Sequence, residues 1–290
     1  MDIIFLVIVN GLMIGGIYSL MTVGLTLIFG VMNVVNFAHG ELLMVGMYIT
    51  YWLFALWGID PFLSMFLCIG ILFIFGAAIQ HLIITPIRDE EREIGSLLVT
   101  LGLGIFLQNA ALFLWKADFR SVVPTYGTEI IEVGLLNIPL PRLIAFLIAL
   151  ALTVLLFIFL KKSYLGKSIR ATSFDRETAM LMGINIHRID LLTFGIGAGC
   201  VGAAAAITTP SYFVFPSVGT MFGLTCFVAV VLGGLGNFVG AFLGGLIVGL
   251  AESVGVMYVS TQAKYLVTFV VFIVALLIRP SGLFGRKMGS

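Results

Sequence analysis

Residues 191–251 read LLTFGIGAGCVGAAAAITTPSYFVFPSVGTMFGLTCFVAVVLGGLGNFVGAFLGGLIVGLA, 61 consecutive positions without Asp, Glu, Lys or Arg. A helix of about 20 residues crosses the hydrocarbon core of a bilayer, so this stretch is long enough for more than one crossing. Pro210, Pro216 and the run Gly233-Gly234-Leu235-Gly236-Asn237 divide it into pieces near 191–209, 219–232 and 238–256. The middle piece is short for a full crossing. Working outward, further charge-poor runs lie near 3–30, 41–58, 62–84, 95–115, 143–160 and 265–279. The fold class that follows is an all-α polytopic membrane protein. Its single domain, residues 1–290, is expected to be a bundle of about eight to nine transmembrane helices with discontinuous or re-entrant segments.

Composition agrees. Of 290 residues, 61% are hydrophobic and 10% charged, and the mean hydropathy is +1.19. The net charge of +1 leaves no field to hold nucleic acid. Cys68, Cys200 and Cys226 sit in apolar runs without CxxC pairing and read as core residues, not as a disulfide framework or a metal site. The first apolar run lacks a basic leader and is too long for a cleaved signal peptide, so it is expected to stay in the mature protein. Gly11/Gly15, Gly240/Gly244 and Gly245/Gly249 have the four-residue spacing that lets helix backbones approach closely in lipid.

The Lys/Arg distribution orients the chain. With the C-terminus inside, Arg88, Arg92, Lys161, Lys162, Lys167, Arg170, Arg176, Arg188, Arg279, Arg286 and Lys287 are cytoplasmic, against Lys116, Arg120, Arg142 and Lys264 outside. Loop 161–190 and the C-terminus are therefore expected in the cytoplasm.

Two breaks interrupt the apolar pattern. Asn33, Asn36, His39, Gly40 and Glu41 cluster within nine residues. Polar groups at membrane depth persist only where protein or a water-filled cavity covers them, so this reads as a discontinuous helix. Gly233, Gly234 and Gly236 form the second break, and an offset of 203 residues aligns Gly30 with Gly233 and Ala38 with Ala241. Paired interruptions point to a translocation pathway, with simple packing kinks as the alternative. Glu41 and Glu252 are ionisable groups in or beside apolar spans, read either as pathway residues or as interfacial ones. His39 has no partner pattern for a metal and reads as a hydrogen-bonded structural residue.

In loop 161–190, Gly166-Lys167-Ser168 lacks the upstream glycine of a phosphate-binding loop, position 161 being Lys161, so no ATP-binding motif is present. Thr172 followed by Asp175 suggests a capped helix over Ser173–Met182, stopped by Gly183. Phe174, Thr178 and Leu181 would share one stripe, fit either for a partner's groove or for the membrane interface.

Residues 36–41 (NFAHGE), 166–171 (GKSIRA), 179–184 (AMLMGI), 231–236 (VLGGLG) and 279–285 (RPSGLFG) together resemble the LivH-type permease subunits of branched-chain amino-acid ABC transporters over essentially the whole chain. The resemblance implies a non-enzymatic inner-membrane subunit that pairs with a second permease of the LivM type, two ATPase subunits that bind ATP and Mg, and an extracytoplasmic binding protein. It further implies that Phe174, Glu177, Ala179, Leu181 and Gly183 form the helix that couples to the ATPases. Glu177-Thr178-Ala179-xxx-Gly183 matches the family's EAA-xxx-G pattern with Thr at the middle position, while its downstream I-x-L-P portion is missing. Two rival expectations are an ion-coupled secondary transporter using Glu41 and Glu252, and a permease for urea or short amides.

Overall fold

The computed structural model describes residues 2–87, 92–133, 136–258, 264–279 and 282–284. Arg88, Pro280, Ser281, Gly285, Arg286 and Lys287, which the sequence reading uses, lie outside the described residues. The long apolar elements are α1 (Asp2–Met32), α2 (His39–Trp57), α3 (Pro61–Ile79), α4 (Arg92–Trp115), α5 (Leu140–Lys162), α8 (Ile186–Thr208), α9 (Val218–Gly233), α10 (Phe238–Tyr258) and α11 (Lys264–Ile278). A π-helical turn, Gln80–Ile84, continues α3. Among the described residues seven of these helices are long and apolar enough to cross a bilayer, while α9 and α11 are shorter. The nine apolar runs expected from charge gaps each become one of these helices.

Loop 161–190 departs from expectation. It holds two helices, α6 (Tyr164–Phe174) and α7 (Arg176–Leu181), in place of one over Ser173–Met182. Asp175, not Thr172, is the cap of α7. Thr172 is buried, and its hydroxyl donates to Ser168 O within α6 (3.0 Å). Phe174 therefore ends one helix while Leu181 ends the next. A second departure is a hairpin of β1 (Ile130–Val133) and β2 (Leu136–Pro139), antiparallel with Ile131 opposite Ile138.

The bundle has two ends. At the loop end, α6 and α7 meet the C-terminus of α1, where Arg176 Nη1 donates to Val31 O (3.1 Å). Phe284 N also donates to Gly233 O there (3.2 Å). At the hairpin end, Tyr126 OH donates to Asp60 Oδ2 (2.6 Å) at the start of α3. Arg120 pairs with Val214 in an isolated antiparallel bridge after α8. Burial there pushes the Tyr126 phenol above its ordinary range, and the bond to Asp60 adds to the rise.

Small residues set the helix packing. A Cβ on Gly15 would lie 2.9 Å from Leu246 Cα, and one on Gly245 would lie 2.6 Å from Ser19 Cα. These contacts seat α10 antiparallel along α1. Where apolar side chains gain little from leaving lipid, such close backbone approach supplies the dispersion contacts that hold helices together. Tyr18 OH of α1 donates to Glu252 Oε2 of α10 (2.6 Å), which places Glu252 inside this helix pair and buried.

Candidate functional site

α1 closes with Asn33 in the left-handed region (φ 52°), its N–H donating to Phe29 O (2.8 Å). Residues 33–38 then double back alongside α1 without helical structure. Their backbone is satisfied by protein: Phe37 N donates to Thr100 Oγ1 (3.2 Å), and that hydroxyl donates to Val35 O (3.1 Å). Asn36 Oδ1 accepts from Ala38 N (3.1 Å) at the start of α2. Such pairing is the condition for irregular backbone at membrane depth. His39 Nε2 lies 3.1 Å from Met21 O. A carbonyl only accepts, so the ring proton sits on Nε2. Met21 lies eleven residues before Met32, the end of α1, so α2 begins about 16 Å into the bundle.

The chain also re-enters after α8. A 3₁₀ turn, Thr209–Ser211, and an extended link carry it to Val218, where α9 starts. The N-termini of α2 and α9 meet there. A Cβ on Gly40 would collide with Gly219 O and lie 2.6 Å from Gly223 Cα, so this junction requires glycine. Thr220 Oγ1 donates to Glu41 Oε1 (2.9 Å) across it. The junction lines a cavity of about 320 Å³ whose polar wall holds Asn36, His39, Glu41, Thr220 and Gln108. Leu25, Leu101, Ile105, Leu224 and Phe227 form the apolar wall. Asn36, His39 and Glu41 are buried, yet Asn36 Nδ2, His39 Nδ1 and Glu41 Oε2 find no hydrogen-bond partner within the chain.

The sequence-selected residues thus fall into two groups. Asn36, His39, Gly40 and Glu41 line this cavity, but Gly233, Gly234 and Gly236 do not. Those glycines form the tight α9–α10 turn at the loop end, where Gly234 (φ 101°) and Gly236 (φ 79°) need the left-handed side of backbone space. Asn237 Oδ1 caps α10 by accepting from Gly240 N (3.0 Å). Asn33 and Gly236 share a second cavity there, of about 530 Å³, with Arg170 and Phe174. The offset of 203 residues pairs Asn33 with Gly236, and these two do meet at the loop end, whereas the residues facing Gly40 and Glu41 across the first cavity are Gly219, Thr220 and Gly223 at the start of α9. Thr100, Gly104, Gln108, Gly219, Thr220 and Gly223 were not read from sequence. The signals available for the last three were the Pro210/Pro216 pair and the four-residue spacing of Gly219 and Gly223.

The loop site is built from caps. Ser163 Oγ accepts from Gly166 N (2.9 Å), Asp175 Oδ1 from Thr178 N (3.1 Å), and Asn185 Oδ1 from Arg188 N (3.1 Å), starting α6, α7 and α8. Gly183 stops α7 as expected, with φ 81°. The Thr178 hydroxyl and backbone N–H hold the Asp175 carboxyl below its ordinary range. Ala179 is buried on the inner side of α7, Glu177 is exposed, Leu181 (87% exposed) and Met182 (78%) form an apolar tip at the end of α7, and Phe174 (70%) is exposed at the end of α6. Arg176 grips Asp190 of α8 through two bonds, Nη1 to Oδ1 (2.9 Å) and Nη2 to Oδ2 (2.8 Å).

The family model described as "Branched-chain amino acid transport system / permease component" matches residues 7–276. The chain belongs to that family. Among the permease's relatives, the high-affinity branched-chain amino acid transport system permease protein BraD of Pseudomonas aeruginosa is 36% identical, covering 96% of this chain and 94% of its own. The corresponding permease protein LivH is 34% identical in Salmonella typhimurium and 33% in Escherichia coli, again over 96% of the permease and 94% of each relative. The permease is accordingly a multi-pass membrane component of a transport system.

Proposed function

We propose that the chain is the LivH-type permease subunit of an ABC importer for leucine, isoleucine and valine, that it performs no catalytic step, and that it forms half of the translocation pathway. The observation that carries the reading is the loop: Leu181 and Met182 stand exposed at the end of α7 and Phe174 at the end of α6, on capped helices that Arg176 ties to the C-terminus of α1. An exposed apolar tip on a short rigid helix suits helix-in-groove docking. Its occupant is an ATPase subunit, which would bind ATP and Mg and drive the motion, with Glu177, Ala179 and Gly183 shaping the docked helix. The remaining partners are a second permease of the LivM type and an extracytoplasmic binding protein.

The excess of Lys and Arg at the loop end, among them Lys161, Lys162, Lys167 and Arg188, supports a cytoplasmic position for that end and for the C-terminus in the inner membrane. Asn36, His39, Gly40 and Glu41 would line the pathway, and Asn33, Gly233, Gly234 and Gly236 its cytoplasmic margin. The test is purification with candidate ATPase and LivM-type subunits, reconstitution with the binding protein, and uptake of labelled leucine, isoleucine, valine and urea with and without ATP. ATP-dependent uptake of the three amino acids is expected. Uptake by the chain alone under an ion gradient would refute the proposal and favour a secondary transporter.

A further inference from the structure

The loop-end cavity of about 530 Å³ lies between the ends of α1, α5 and α6 and the start of α10. Arg170 is the one charged side chain among its described lining residues. It is half-buried, and of its five guanidinium N–H groups one makes a long bond, from Nη2 to Lys161 O (3.4 Å). No carboxylate among the described residues pairs with it. A cation in a partly covered cavity without a counter-ion favours an incoming anion.

Around that cation the wall is apolar, with Phe29, Phe157, Phe238 and Val239 contributed by three spans. An inorganic anion would gain nothing from such a wall, whereas the chain of an amphiphile would fill it with dispersion contacts. Position decides which amphiphile. Lys161 O, which holds Arg170, belongs to the last turn of α5, and Phe157 lies one turn deeper. Val154 and Ile158 of the same helix are exposed, as is Val239, so apolar surface continues outward from the cavity wall. Lys161 and Lys162 are exposed at the level of Arg170, and Tyr164 (82% exposed) and Leu165 follow at the start of α6. Basic and tyrosyl side chains at the end of a span mark the headgroup layer of a bilayer. A membrane lipid therefore reaches the cavity sideways, with its phosphate at the height of Arg170. With no described carboxylate on the wall to meet an ammonium, a net anionic headgroup fits better than a zwitterionic one.

We propose that the loop-end cavity binds an anionic phospholipid, its phosphate on the Arg170 guanidinium and its acyl chain along Phe157 and Val239. Arginine offers a planar fork that meets two phosphate oxygens at once. The bound lipid joins α6 to the ends of α1, α5 and α10 and so braces the base of the loop. The inference needs only that these spans cross a bilayer, and it holds for any cargo.

The test uses the permease in its assembled transporter, stripped of lipid in detergent. Phosphatidylglycerol, phosphatidylethanolamine, phosphatidylcholine and inorganic phosphate are offered in turn and retention is read by native mass spectrometry. Phosphatidylglycerol with a photoreactive acyl chain then maps the site by cross-linking. Phosphatidylglycerol should be retained in preference to the other two lipids, excess inorganic phosphate should leave it bound, and cross-links should fall on the peptides that hold Phe157 or Val239. Arg170→Gln should weaken retention by about tenfold or more. Arg188→Gln, which removes an exposed cation at the same end that does not line the cavity, should leave retention unchanged. Equal retention of the three lipids, displacement by phosphate, or cross-links elsewhere would overturn the proposal. So would cross-links seen only after the ATPase subunits are removed, which would give the cavity to that partner. The lipid series on the unaltered transporter decides the matter even where Arg170→Gln fails to assemble.

Discussion

The Arg176–Asp190 pair offers the sharpest test of how the loop is tied to the bundle. Arg176 makes two parallel bonds to Asp190 and a third to Val31 O, so one guanidinium joins α7, α8 and the last turn of α1. The Asp190 side chain is 5% exposed and that of Arg176 26%, so the pair is screened on one side only. Hydrogen bonds to charged groups contribute about 1.5–3 kcal/mol, and partial exposure of Arg176 discounts the sum of three to about 2–3 kcal/mol. Arg176→Ala should therefore speed exchange of the α7 backbone amides, read by hydrogen–deuterium exchange in nanodiscs, by about 30- to 150-fold. Arg176→Lys should recover little of this, because an ammonium cannot span both carboxylate oxygens and the carbonyl. In a double-mutant cycle, Arg176→Ala with Asp190→Asn should cost scarcely more than either change alone. Fully additive effects, or α7 exchange within about twofold of wild type in Arg176→Ala, would show that the three bonds do not anchor the loop.

Three further outcomes follow. Gly40→Val should lower the thermal midpoint of the purified permease and abolish uptake, because overpacking against the Gly219 carbonyl costs about 1–3 kcal/mol or more; Gly70→Ala, with nothing within 4 Å of its added Cβ, should be neutral or slightly stabilising in the same melt. Gly183→Arg should uncouple ATP hydrolysis from uptake through backbone strain at φ 81°, since open space surrounds a Cβ there; wild-type ATP-driven uptake by the reconstituted variant would contradict the assignment. The Asp175 carboxyl is held below its ordinary range, so its contribution to α7 is complete above the unfolded carboxylate value and fades as pH falls through the lowered folded one. Intrinsic-rate-corrected protection of the Thr178 amide should be constant from about pH 8 to about pH 5 and drop in stronger acid, whereas Asp175→Asn should lack that drop.

The spans were legible because lipid imposes a crude rule: charge is excluded for about 20 residues at a time, and the gaps between charges mark the helices. The break at Asn33–Glu41 was legible for the same reason, polar groups being conspicuous against apolar sequence. Its partner was not. Gly219, Thr220 and Gly223 are unexceptional in any membrane helix, and only contact with Gly40 and Glu41 across some 180 positions of chain makes them part of a cavity. Gly233-Gly234-Leu235-Gly236 drew attention instead, and its glycines serve a tight turn. In the loop, the cap expected at Thr172 gave way to Asp175. Thr172 lost because its hydroxyl is buried within α6, while Asp175 is exposed and meets Thr178 through both carboxylate oxygens.

α1 connects the two sites. Its last turn is held by Arg176 from the loop, its middle carries Met21 O against His39 at the cavity, and Tyr18 ties it to Glu252 of α10. Gly15 and Gly249, in backbone contact along that same interface, hold α1 closely against α10. Close packing of this kind resists gradual deformation and favours movement of α1 and α10 as one body. Were α7 displaced by the docked partner of the proposed function, α1 would carry the motion to His39, and the α2 N-terminus would shift against that of α9. The Glu41–Thr220 bond spans that seam, so it is where relative motion of the two half-helices would first change the geometry offered to a solute.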